Sequence, residues 1–181
     1  MQLSEFKKVR NIEHLELTEG SLNGIRCALF PIYMWAYSNY PVGWYYRGLD
    51  GVYHNKRFIG DYSGYYYSYQ PSFIPEIYGK KVCITEGIID AEILRSLGFF
   101  SCAIMTAVVV EALLRDLKLL NQSVLFLPDN DAAGKFNFER NKFKFIRNNI
   151  SFDYIHFPFK DIGAVPKKDL PHIANQIRSL L

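Results

Sequence analysis

The chain has 181 residues, 49% of them hydrophobic and 22% charged, and 21 basic against 18 acidic side chains leave a formal charge of +3. These are the figures of an ordinary globular protein of one domain, or of one domain with a smaller companion, and so small a charge does not by itself argue for a nucleic-acid partner. Three widely spaced cysteines without a CxxC pair (Cys27, Cys83, Cys102) argue against a disulfide framework and a structural zinc site. An opening MQLSEFKKVR without an apolar stretch, and no run near the roughly 18 apolar residues of a membrane span, point to a reducing cytoplasm.

The first half reads as a small antiparallel sheet. Its β-like runs IRCALFPIY (25–33) and PVGWYYRG (41–48) are separated by the turn-prone Ser38, Asn39 and Pro41. Aromatic residues make up 16% of the chain, and Tyr45, Tyr46, Tyr53, Tyr62, Tyr65, Tyr66, Tyr67 and Tyr69 crowd into this part. Two readings of that crowding stand side by side. The rings can stack on bases while Arg47, Lys56 and Arg57 meet phosphates, or they can simply pack as strand residues do. The texture changes around Pro71, Pro75 and Gly79, so the expected division is a β-rich subdomain over 1–78 and a second domain over 79–181.

After that boundary apolar runs alternate with helical periodicity. KVCITE (81–86), a helix near 88–97, FSCAIM (100–105), a helix near 108–120, SVLFLP (123–128), a helix near 132–149, FDYIHFPF (152–159) and a last helix follow one another. The order calls for a parallel sheet with helices on its faces, and unbroken apolar strands are expected where both faces are covered. Ile89, Ile93 and Leu97 form one helical stripe, and Val109, Ala112, Leu113, Leu117 and Leu120 another. Glu92, Arg95, Glu111, Arg115 and Lys118 take the opposite, outward faces. Residues 132–149 also concentrate charge, with Lys135, Arg140, Lys142, Lys144 and Arg147 against Glu139.

The acids fall at strand ends. Glu86 closes KVCITE, Asp129 and Asp131 follow SVLFLP, and Asp161 follows FDYIHFPF. Carboxyl ends of parallel strands share one rim, where ligands bind. Anions gathered in a partly dry cleft require a cation, and oxygen ligands without His or Cys suit Mg²⁺, or Mn²⁺, rather than zinc. Asp129 or Asn130 can instead cap the helix opening at Ala132, with Asp131 favoured at its positive end. Gly87 and Gly134 open the backbone beside the acids, and Lys135 is placed to reach a phosphate.

These segments resemble a known family. VCITEGIIDAEIL (82–94), with Glu86, Gly87 and Asp90, resembles the first motif of the toprim domain. LPDNDAAGK (127–135), with Asp129, Asp131, Gly134 and Lys135, resembles the second, and FKDIG (159–163) the short Lys-Asp segment after the last strand. In the first half, FPIY (30–33), VGWYYRGLDG (42–51) and NKRFIG (55–60) look like the small basic subdomain that precedes toprim in bacterial and phage primases, the phage helicase-primase type being nearest. Two positions depart from the pattern: Met105 stands where many relatives have glycine before Thr106, and Gly163 where some primases carry a further acid.

The resemblance implies an α/β toprim-type open parallel sheet with helices on both faces, preceded by the small antiparallel subdomain. It implies divalent metal at Glu86, Asp129, Asp131 and Asp161, with Glu86, Asp129 and Asp131 catalytic. Arg47, Lys56, Arg57 and Lys135 would hold nucleotide or template. The implied activity is that of a primase, a DNA-directed RNA polymerase that joins ribonucleoside triphosphates into short primers on single-stranded DNA. Its implied partners are a replicative helicase or a separate zinc-binding template-recognition protein, with no membrane, in the cytoplasm of a bacterium or phage-infected host. No GxxxxGK[ST] motif is present, so a helicase would be another chain. A toprim nuclease, and a non-catalytic toprim module binding nucleic acid or a replisome partner, remain the alternatives.

Overall fold

The structure is a computed structural model that describes residues 1–33, 41–52, 54–58, 66–68 and 79–181, the side chains of 55–58 excepted. A short helix, α1 (Leu3–Val9), precedes four strands, β1 (Thr18–Leu22), β2 (Ile25–Ile32), β3 (Gly43–Gly48) and β4 (His54–Phe58), paired antiparallel in that order. The β1–β2 hairpin closes on Asn23 and Gly24, both in the left-handed region with Leu22 opposite Ile25. A two-residue turn on right-twisted strands requires that geometry. Tyr53, Tyr62, Tyr65 and Tyr69 lie outside the described residues.

The second sheet is parallel, with strand order β6 (Ser101–Ala103), β5 (Lys81–Thr85), β7 (Ser123–Leu127) and β8 (Phe152–Tyr154). The helices between and after its strands are α2 (Ile88–Ser96), α3 (Glu111–Leu119), α4 (Ala132–Arg147) and α5 (Leu170–Arg178). The unbroken apolar strands divide by parity. Cys83, Leu125 and Leu127 enter one cluster with α2, α5 and the antiparallel sheet, while Val82, Ile84, Val124 and Phe126 enter a second with α3 and α4. Both faces are therefore covered, and the fold is the expected α/β toprim-type sheet preceded by an antiparallel one. The first cluster also holds Phe6, Ile12, Phe30 and Ile32, so one core is continuous from the N-terminal part into the parallel sheet.

Three expectations change in detail. FDYIHFPF is a strand only over Phe152–Tyr154: the Ile155 N–H still reaches the Phe126 carbonyl, but β7 ends one residue later, and 155–159 lie beyond the ladder. The helix expected from 108 begins at Glu111. Buried Asn141 on α4 holds the preceding loop instead, accepting from the Val109 N–H at 2.7 Å and donating to the Ala107 carbonyl at 3.3 Å. Glu92, assigned above to an outward face, is only 1% exposed, because the N-terminal part and residue Tyr67 cover that side of α2.

Residues 66–68 join the two sheets. Tyr67 exchanges both backbone hydrogen bonds with Ala103 of β6, and Ser68 does the same with Tyr33 at the end of β2. Tyr66 and Tyr67 are fully buried on opposite faces of the parallel sheet, their hydroxyls donating to Asp116 and Glu92. Burying both rings rules out the base-stacking reading for these two tyrosines; they are core.

Candidate functional site

The strand order puts the reversal between β5 and β7, since the chain leaves β5 toward β6 and leaves β7 the opposite way toward β8. Beyond the carboxyl ends of two such strands no crossover helix closes the crevice. Glu86 directly follows β5, and Asp129 follows Pro128 at the end of β7.

Local chemistry then fixes each neighbour. Asp131 is the N-cap of α4 and accepts the Gly134 N–H at 2.8 Å, which satisfies one orphan donor of the first turn. A Cβ on Gly134 would overlap the Asp129 carbonyl, so only glycine lets this turn lie against the acids. Asp161 caps the 3-10 turn Ile162–Ala164 by accepting the Ala164 N–H at 2.7 Å. Asn130, between the two aspartates, draws in the last loop: its N–H donates to the Lys160 carbonyl at 2.6 Å and its amide to the Phe157 carbonyl at 2.9 Å.

Asp90 is more than a motif residue. It is buried on α2 and accepts the Gly163 N–H at 2.7 Å, pinning the loop of Asp161 to the helix after β5. A Cβ at Gly163 would stand 3.2 Å from Asp90 Oδ1 and 3.3 Å from Asp161 Oδ1. Glycine at the departing position is thus what lets two carboxylates approach one stretch of backbone. At the other departure, Met105 adopts a φ of 56° and its N–H donates to the Glu86 carbonyl. The site holds this residue in the conformation glycine takes freely, a local strain of the kind found beside functional groups.

Glu86 receives the Asn137 amide on Oε2 at 3.1 Å, while its Oε1 is buried with no hydrogen-bond partner. Crowding shows in the proton affinities. Asp129 is pushed up to about 7 by burial and then by Glu86, Asp161 and Asp131, with Lys160 opposing. Asp90 is pushed up to about 7 by burial and by Asp161. Burial also raises Glu86, against the Asn137 amide and the Asp129 backbone that favour its charged form.

Three acids line a cleft of about 200 Å³, whereas Glu86 and Asp131 do not. Asp90, Asp129 and Asp161 face Arg10, Tyr45 and Arg47 of the N-terminal part. Arg47 donates to the Gly51 carbonyl at 2.8 Å, and its Nε is buried without a partner. Anionic and cationic walls facing across a gap suit a ligand that carries phosphates and cations together.

The oxygen-only donors and the orphaned Glu86 Oε1 fit a hard divalent cation. Among the described residues, however, no group of three acidic, His or Cys side chains is gathered to hold one. Asp131 and Asp161 each give one oxygen to a cap, while Asp129 lies close enough to Glu86, Asp161 and Asp131 for their charges to raise its proton affinity.

Of the expected basic residues, Arg47 reaches the cleft and Lys135 is exposed on the first turn of α4. Register sets Lys56 opposite Tyr45 and Arg57 opposite Trp44, but the side chains of both lie outside the described residues. Sequence reasoning missed Arg10 and Asn137, named Asn130 only as a helix cap and named Lys160 only as part of a motif. Asn137 and Asn141 carried a readable signal, two amides one turn apart on the face of α4 that also bears Phe138 and Phe145. Arg10 carried none, because α1 was not expected.

No protein-family model and no curated protein matches the chain. Solved structures do share its fold. A DNA primase domain from Pseudomonas aeruginosa superposes with a TM-score of 0.67 at 19% identity, over 88% of this chain and 55% of that one. The zinc-binding and RNA polymerase domains of the Aquifex aeolicus primase give 0.68 at 15%, over 99% and 48%. The E. coli primase catalytic core gives 0.63 at 14%, over 98% and 63%. The likeness is one of fold, to primase catalytic cores, and this chain spans roughly half the length of those it matches.

Proposed function

We propose that this chain is a primase-type catalytic core that joins ribonucleoside triphosphates into short RNA primers on single-stranded DNA. The observation that carries the reading is the cleft at the β5–β7 reversal, where Asp90, Asp129 and Asp161 face Arg10 and Arg47. The shared fold with primase cores, one of them solved bound to single-stranded DNA, supports it. In this reading residues 79–181 are the catalytic domain and 1–78 the subdomain that supplies the cationic wall.

Glu86, Asp129, Asp131 and Asp161 would hold Mg²⁺ or Mn²⁺. When bound, such ions neutralise triphosphate oxygens and the charge that develops in phosphoryl transfer. The protein's own residues do the positioning. Asn137 fixes the Glu86 carboxylate with one oxygen facing away from the amide, and Asp90 and Asn130 hold the Asp161 loop against the Asp129 turn. Arg10 and Arg47, together with Lys56, Arg57 and Lys135, receive the phosphates of nucleotide and template. Its partner would be a replicative helicase, or a separate zinc-binding protein that supplies template recognition. The test is primer synthesis by the purified chain with Mg²⁺ or Mn²⁺ on single-stranded DNA, beside Asp129→Ala. Primers from the wild type alone support the assignment. Primers from both refute the role of Asp129, and cutting of the template without synthesis would make the chain a nuclease.

A further inference from the structure

Helix α4 turns Asn137, Phe138, Asn141 and Phe145 inward. Its outer face is unusual for a surface helix, because Phe136 and Phe143 are each 65% exposed and Ile146 is 52% exposed. Phe143 follows Phe136 by seven residues, so the two rings stand on the same side about 10 Å apart along the axis. The polar groups between and beside them are mostly cationic. Arg140 lies over the Phe136 ring at 5.8 Å, Lys135 and Arg147 flank the row, and the nearby acid, Glu139, is turned to Lys142.

We propose that this face is a track for single-stranded nucleic acid, bases stacking on Phe136 and Phe143 while Lys135, Arg140 and Arg147 meet the phosphates. Two observations select this occupant over a protein. The aromatic anchors alternate with cations instead of merging into an aliphatic patch, which is the arrangement that holds single strands without reading sequence. The row also opens at the N-terminal end of α4, the end beside the carboxyl rim of the sheet, with Lys135 and Phe136 four and five residues after Asp131. The proposal deepens the primase reading by assigning a path to its strand, yet its test needs no synthesis.

Binding of labelled oligothymidylates of about 6 and about 16 nucleotides is to be measured by fluorescence anisotropy in EDTA, which separates strand binding from chemistry. Phe136→Ala with Phe143→Ala is expected to weaken the longer strand roughly tenfold or more and leave the shorter one, held at the cleft, nearly unchanged. Arg140→Gln is expected to reduce the slope of log affinity against log salt by about one unit. Both rings are exposed, so circular dichroism of the double variant should match the wild type.

Undiminished binding by a folded double variant overturns the proposal, as does failure of the wild type to bind either strand. Displacement of the strand by oligoglutamate as readily as by oligothymidylate also overturns it, since the face would then be a generic anion or acidic-peptide surface. Loss of strand binding in the double variant of a chain that makes no primers leaves the track standing and the primase reading refuted. Primer synthesis with wild-type strand binding in the variant does the reverse.

Discussion

Carboxylates withdrawn from water occur in this molecule in two settings. Glu92 and Asp116 lie on opposite faces of the parallel sheet, and each has dedicated donors. Tyr67 and Arg95 bond Glu92 at 2.8 and 2.6 Å, and Tyr66 bonds Asp116 at 2.7 Å with Arg115 beside it. At the carboxyl rim Asp90 is buried and Glu86 and Asp129 are half-buried, and they are not similarly satisfied: one Glu86 oxygen has no partner, and the acids crowd one another. The first arrangement holds a fold together. The second costs stability, a cost that a bound cation would offset under the proposed function.

Substitution separates the two settings. If the proposed function holds, Asp129→Ala is expected to lower primer synthesis at least about a thousandfold while leaving the fold intact, because it removes a charge that would hold the metal. Initial rates and circular dichroism of the same preparation check both halves. A variant that unfolds, or one that keeps its rate, would move Asp129 into the structural class.

The pH dependence of stability follows from the rim. Asp90 and Asp129 titrate near 7 when folded against 3.8 as free side chains, so the folded state keeps protons that the unfolded state has released. Their contribution is full below about 4 and is lost as pH rises through about 7, a change of several kcal/mol by linkage. Urea midpoints of the wild type should therefore fall relative to Asp90→Asn between those values, and Mg²⁺ should raise the wild-type midpoint more at pH 8 than at pH 6. Parallel profiles for the two proteins would contradict the crowding described here.

Glu92→Ala is expected to cost about 3 kcal/mol in urea, since it removes the buried carboxylate that accepts from Tyr67 and Arg95, whereas Glu86→Gln should be neutral or stabilising. Equal losses from both would erase the distinction. A loss of activity smaller than that of Asp129→Ala belongs to Asn137→Ala. Loss of one hydrogen bond to a charged group, about 1.5 kcal/mol, should lower the synthesis rate roughly tenfold and raise the Mg²⁺ concentration needed for thermal stabilisation. Restoration by Asn137→Gln would mark the amide as the positioning element.

The amino-acid order determined the frame by itself. Unbroken apolar runs alternating with helical stripes admit only a covered parallel sheet, and acids at the ends of such strands must share its carboxyl rim. Gly87, Gly134 and the acids were legible for that reason. What the chain's tertiary contacts decided is which of those groups touch. Asp90 meets the Gly163 N–H across 73 positions and Asn137 meets Glu86 across 51, separations that no local period encodes. The same holds for Tyr66 and Tyr67, whose rings could be read as packing residues or as stacking platforms until burial against Asp116 and Glu92 made them core. Burial and charge pairing depend on the whole packed arrangement, whereas strand and helix periods depend on near neighbours alone.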